Sequence, residues 1–235
     1  MEKSSIEEIR DRFDKDVERF SNLDTGQVAT IDAVLSLELI TSAAARIIPE
    51  ANTLLDVGCG AGNYTLKMLQ KLPELSCTLV DLSMPMLKKA EERVRELTLA
   101  PVQIFQGDIR TLALPDQHFD IILAGAVLHH LRDDNDWETT FQKLFSLLKP
   151  GGCLMISDLV VQDAPQIHEL IWQKYGEYLS SIGGETYRDN VFAYIEKEDS
   201  PRSLTYQLDL MKKCGFRTVE VLHKHLCFAA FGGIK

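Results

Sequence analysis

No run of apolar residues in this chain approaches the ~20 that a membrane-spanning helix requires, so no membrane partner is expected. The opening stretch MEKSSIEEIRDRFD is charged where a secretory signal needs an apolar segment, and a cytoplasmic location is the expectation. Cysteine is sparse: Cys59, Cys77, Cys153, Cys214 and Cys227 are scattered, odd in number and free of any CxxC pair. A disulfide framework and a zinc site are therefore not expected, and the thiols read as small buried hydrophobes. Basic clusters are lacking too. With a formal charge of −10 and no run of Lys and Arg, nucleic acid is not an expected partner.

What is present is 235 residues, 45% hydrophobic and 26% charged, enough for one large core. A single domain over 1–235 is expected, made of N-terminal helices (1–48), a sheet-forming core (50–160), an insertion (160–200) and a terminal helix with a strand pair (201–235). Ser5 and Glu8 form a capping box, and Ile6, Ile9, Phe13, Val17 and Phe20 recur behind it at helical spacing. A second helix is expected from about Thr30 to Ile48, stopped by Pro49. TLLDVG, CTLVD, VQIFQGD, FDIILAGAV and CLMISD then alternate with helical patterns at about 62–72, 84–97 and 136–148. Short apolar strands alternating with helices mean an α/β fold with a parallel sheet covered on both faces. LLKPGG ends a helix before the fifth strand. In the last segment Ser200 is the expected N-cap, Pro201 the first helical residue and Gly215 the stop, before RTVEVLHK and LCFAAFGG pair antiparallel.

The stretch LLDVGCGAGNYT ends an apolar strand on Asp56 and then places Gly58, Gly60 and Gly62 within five positions. Open parallel sheets bind ligands at the carboxyl ends of their strands. Gly58 and Gly60 suit a tight turn and close ligand approach there, and Gly62 suits close packing of the next helix on the strand. A dinucleotide fingerprint would put its third glycine at position 63, where Asn63 stands. An acid at the loop mouth opposes a pyrophosphate and favours an ammonium group. Asp81, 25 residues on, ends the second strand where an acid can accept from a ribose hydroxyl pair. Asp108 can accept from an adenine amine, with Ile109 packing on the ring. Amine, ribose and adenine together describe S-adenosylmethionine.

LLDVGCGAGNYT, VDLSMPML, GDIRTLALPDQHFDIILAGAVLHHL and LLKPGGCLMISD, in that order, resemble the class I S-adenosylmethionine-dependent methyltransferases over residues 30–160. The resemblance implies a Rossmann-like three-layer sandwich with seven strands, mostly parallel, the last antiparallel, plus N-terminal helices and an inserted helical lid. It implies a cofactor lying across Gly58, Gly60, Asp81, Asp108 and the backbone near Ala124. Cys59, Asn63, Leu82 and Met86 complete the expected cofactor set, and S-adenosylhomocysteine is the expected product. The expected partner is a small-molecule acceptor, and the first helix, with Arg12, Phe13 and Lys15, closes over the cofactor, covers the sheet or packs on a second subunit of a homodimer.

IRDRFDKDVERF, the aromatic insertion and LMKKCGF are more loosely similar to carboxy-S-adenosylmethionine synthases, which use prephenate and hold the added carboxylate with an arginine. Arg188 is the nearest candidate, and Arg202 competes. A third reading is a cofactor-binding regulator without turnover. For the transfer itself His129 is a candidate base, against the plain reading of a packed or capping histidine. Adjacent residues in extended chain face opposite ways, so His129 and His130 are not expected to share a metal. Tyr175, with Trp172, Tyr178 and Tyr187, either lines the acceptor pocket or lies in core beneath a lid. His223 and His225 have no partner acids in view.

Overall fold

The computed structural model describes residues 3–22 and 27–235. Seven strands form one sheet in the order β3-β2-β1-β4-β5-β7-β6. They are β1 Thr53–Val57, β2 Ser76–Asp81, β3 Val102–Gln106, β4 Phe119–Gly125, β5 Leu148–Leu159, β6 Thr218–His225 and β7 Phe228–Ile234. β1 to β5 pair in parallel, while β7 runs antiparallel to both β5 and β6. Strand order reverses between β1 and β4, which opens a crevice at their carboxyl ends.

Eight helices are described: α1 Ile6–Phe13, α2 Val17–Ser21, α3 Ala33–Ile47, α4 Asn63–Leu69, α5 Met84–Arg95, α6 Asp134–Leu147, α7 Pro165–Glu198 and α8 Leu204–Cys214. On one sheet face, Trp137 and Phe141 of α6 and Met211 of α8 pack on Ile122, Leu154 and Phe231. On the other, Leu37 and Ile40 of α3, Met68 of α4 and Leu87 of α5 pack on Leu54 and Ile121. That burial on both faces is what continuous apolar strands demand, and it makes the three layers. A third cluster, Tyr175, Leu179 and Ile195 of α7 with Ile31, Leu159 and Phe228, sits beside the sheet.

Three local expectations change. The opening helix keeps its capping box at Ser5 and Glu8 but breaks at Asp14, so Val17 and Phe20 belong to the separate α2. The insertion is one 34-residue helical span, interrupted at Gly184, whose φ of 80° and ψ of 177° are not helical. The N-cap of α8 is Ser203, whose side chain accepts from Tyr206 N, and not Ser200. Pro201 therefore precedes the helix. Ser200 instead donates its amide to the His129 carbonyl at 2.7 Å, and Val161 N donates to Arg202 O, which keeps this stretch extended. KPGG after α6 lies within the range of β5, across an irregularity in its pairing with β4.

Candidate active site

β1 runs one residue further than expected, to Val57, so Asp56 lies inside the strand and is only 1% exposed. Its Oδ2 accepts from Thr65 N at 3.2 Å and Thr65 Oγ1 at 2.6 Å. Because the α4 N-cap is Gly62, which has no side chain, Asp56 supplies the capping oxygen from the strand below. Burial pushes this carboxyl up to about 7 against the Thr65 bonds, and Oδ1 has no partner among the described residues.

The loop above is shaped by backbone. Gly58 has φ of 65°, and a Cβ there would lie 2.4 Å from Val127 Cγ2. A Cβ on Gly60, φ 50°, would meet nothing within 4 Å. Gly62 packs against Ala90 of α5, 3.2 Å from where its Cβ would be, so it serves helix-to-helix rather than helix-to-strand approach. Asp81 Oδ2 accepts from Gly60 N at 2.8 Å and Oδ1 from Ser83 N at 2.9 Å. Burial raises the Asp81 pKa despite these bonds.

A recess of about 120 Å³ lies over this loop, walled by Cys59, Gly60, Asn63, Asp81, Leu82 and Met86 among others. Ile9, Phe13 and Phe20 of α1 and α2 close its outer side. Leu82 also borders an open hollow with Gln106, Gly107 and Asp108, under Ser5 and Arg10. The Asp108 carboxylate is gripped there by Arg110, whose Nε lies 3.0 Å from both its oxygens. This pairing holds the Asp108 pKa below its usual value although burial opposes it. Ile109 is 7% exposed and Ala124 is 0% exposed; both belong to the core and neither borders the recess. Ala124 is still inside β4, and Gly125, Ala126 and Val127 reach the wall instead. Gly125 must be bare because a Cβ would lie 2.4 Å from the Tyr64 ring.

Phe13, Phe20, Gln27, Tyr64, Ala126 and His130 are shared with a larger cavity of about 450 Å³. Tyr175, Tyr187, Tyr194 and Phe228 make much of its far wall. Tyr175 lines the cavity yet is also core: its hydroxyl donates to Ala29 O at 3.0 Å, and burial raises its pKa. That bond makes it a pin and not a free acid. Tyr178 similarly donates to Val28 O at 2.8 Å, while Trp172 stacks on His168 and Phe192 away from the wall.

His129 sits on the same wall, in a single 3-10 turn, Leu128–His130. Its Nδ1 is hydrogen-bonded to Asp158 Oδ1, and its Nε2 is 3.8 Å from Asp199 Oδ1. Asp158 is itself immobilised by amides: Leu128 N donates to Oδ2 at 2.8 Å, His129 N at 3.2 Å, and Leu159 N to Oδ1 at 2.8 Å. Burial alone would lower the imidazole pKa, but the carboxylates of Asp158 and Asp199 outweigh it and hold the ring up to about 9. His130 goes the other way, lowered by burial and by the neighbouring His129 charge. The turn also corrects the expectation that the two rings diverge: their centroids are 4.3 Å apart, and His129, His130 and Asp199 present ligand atoms within 4.8 Å of one another. Extended-chain geometry does not apply in a 3-10 turn.

A family profile described as a methyltransferase domain matches residues 54–152. An uncharacterized methyltransferase of Mycobacterium tuberculosis is 33% identical over 119 residues, 51% of this chain and 55% of that protein, so the match spans about half the relative's length. Demethylmenaquinone methyltransferase of Listeria monocytogenes is 26% identical over 74% of each chain. Human N-acetylserotonin methyltransferase, solved with S-adenosylmethionine, superposes with a TM-score of 0.62 at 16% identity, over 95% of this chain and 57% of that one. Residues 54–152 thus match a methyltransferase domain, and the chain shares the fold of a methyltransferase solved with S-adenosylmethionine.

The expected anion-holding arginines do not reach the cavity. Arg188 Nε donates to Asp189 at 2.8 Å, and Arg202 bonds Asp134 and lies over Tyr206. Arg12 and Arg19 line the cavity instead. Arg12 is spoken for: it pairs with Glu198 at 2.8 Å and lies over the Tyr194 ring at 4.2 Å. Asp158 and Asp199 were not singled out from sequence, and neither were Tyr64 and Phe20. For Asp158 a signal existed, since an acid closing an apolar strand at a sheet's ligand end is the same pattern that marked Asp81. Asp199 and Phe20 offered none, because only folding brings them to His129 and Gly60.

Proposed function

We propose that this chain transfers a methyl group from S-adenosylmethionine to a hydroxyl oxygen of a small, mainly apolar acceptor held in the aromatic cavity. The observation that carries this reading is the His129–Asp158 pair on the cavity wall. The residues present fit the cofactor: Gly60 borders open space, Asp81 keeps lone pairs beyond its two backbone bonds, and Asp56 Oδ1 is an unpartnered buried acceptor. Gly58, Cys59, Gly60, Asn63, Asp81, Leu82 and Met86 would hold it, with Asp108 at the neighbouring hollow. When bound, it supplies a sulfonium methyl already activated for displacement.

What the chain must add is alignment, dryness and removal of a proton. Phe13 and Phe20 stand at the junction of recess and cavity, where apolar rings exclude water. Asp158 fixes the neutral imidazole with its hydrogen on Nδ1, leaving Nε2 to accept the acceptor's hydroxyl proton. A base with a pKa near 9 is well matched to a phenol-like hydroxyl, whose ordinary pKa is ~10. The name of the Listeria relative supports a small-molecule acceptor. The synthase reading is less favoured, since neither Arg188 nor Arg202 borders the cavity and Arg12, which does, is paired with Glu198.

A transfer assay with methyl-labelled cofactor over phenols, amines, thiols and carboxylates tests the reading. Turnover on phenols is expected. Turnover confined to amines or thiols would remove the oxygen assignment, and none on any class would remove the enzymatic reading.

A further inference from the structure

His223 and His225 alternate on β6, so both present to one face of the strand, just past a register shift at Val221/His223. Asp32, at the turn before α3, meets them from the other end of the chain. Its Oδ2 lies 2.9 Å from His223 Nε2 and 2.7 Å from His225 Nδ1. One ligand atom from each of the three residues falls within 4.8 Å of the others. Asp32 is also the N-cap of α3, a position where an aspartate ordinarily accepts from the first-turn amides. Its side chain makes no such bond, and its backbone is left-handed at φ 56°. The carboxylate has been given to the imidazoles at the helix's expense.

We propose that Asp32, His223 and His225 form a binding site for a divalent transition ion of the zinc class. Two imidazole nitrogens and one carboxylate oxygen are a donor set that borderline ions prefer and that magnesium and calcium do not. Ligand bonds of ~2.0–2.2 Å place neighbouring donors ~3.3 Å apart around a tetrahedral ion, so the Asp–His spacings need open by only about half an ångström. Side-chain exposures of 35% for Asp32, 21% for His223 and 51% for His225 leave the ion's remaining positions open to water.

The site would brace the acceptor cavity from outside. The turn that carries Asp32 also carries Val28 and Ala29, whose carbonyls accept the Tyr178 and Tyr175 hydroxyls, and Gln27, Ala29 and Thr30 border the cavity. An ion there fastens this wall to the terminal hairpin. The assignment stands apart from the methyl-transfer reading, and its test needs no turnover.

Calorimetric titration of the chelator-treated full chain with zinc chloride is the experiment. One ion per chain is expected, with a rise in Tm of about 5 °C when free zinc is a hundredfold above Kd. Asp32→Asn and His225→Ala should each weaken binding at least tenfold while leaving the zinc-free Tm within about 2 °C, since both side chains are partly exposed. Absence of binding at millimolar zinc would overturn the site. Equal affinity in both variants would overturn it too, by placing the ion elsewhere.

Discussion

The glycine recess and the aromatic cavity share a wall but are built in opposite ways. The recess is floored by one short stretch, Gly58 to Asn63, held by Asp81 at the end of the adjacent strand, with α1, α2 and the segment after β4 completing its wall. Its geometry is backbone geometry: left-handed glycines, amides on a carboxylate, a helix capped from beneath by Asp56. The cavity draws on α1, α2, the turn before α3, α4, the 3-10 turn, β5, α7 and β7, with α7 supplying its longest wall. Recognition by backbone is written locally and survives as a motif. Recognition by converging side chains depends on every element that delivers one.

The sharpest way to test that contrast is at His129, the point where the cavity's chemistry converges. His129→Gln should lower kcat by about 10²–10⁴ while leaving cofactor affinity, a property of the recess, near its original value; calorimetry beside kinetics separates the two. Wild-type kcat should climb with pH toward about 9, because the ring must lose its proton to act as base and the folded site holds that proton tightly. Asp158→Asn removes a carboxylate that raises this pKa, so the rising limb should move to lower pH, which a merely structural residue would not do. Stability should run the other way. Relative to an ordinary value of 6.5, the raised His129 pKa contributes stability that is full below about pH 6.5 and is lost as pH climbs through about 9.

A smaller effect is expected in the recess. Asp81→Ala should weaken S-adenosylmethionine binding by about ten- to a hundredfold through lost hydrogen bonds to a charged acceptor, with little change in the pH at which kcat rises. Unchanged affinity would mean that the recess does not take the ribose. The smallest effect belongs to the cavity wall. Tyr175→Phe removes one buried donor to Ala29 and should cost about 1 kcal/mol, a fall of about 2–4 °C in Tm by calorimetry.

The sheet was legible because its signals are local and repeated. Period-two and near-continuous apolar runs mark strands, helical spacing marks the covers, and β6 and β7 pair antiparallel as a tight strand connection requires. Gly58, Gly60, Asp81, Leu82 and Met86, each at a strand end or just after it, all border one recess. Ala124 still lies inside β4 and Ile109 is packed in the core, so neither borders the recess, while Asp56 stands within β1 with one carboxylate oxygen unpartnered among the described residues. Arg188 and Arg202 are expected at the site only through the looser synthase resemblance, and in the fold they pair with Asp189 and Asp134.

By itself, the order of strands, helices and glycines determined an α/β sheet with a glycine turn at its carboxyl edge, because each of those features is encoded within a few residues. Only the tertiary structure decided which side chains meet across that edge. His129 and Asp158 are 29 positions apart, and Asp32 and His223 are 191. Whether such pairs touch is set by the packing of whole elements, and no local pattern carries that information.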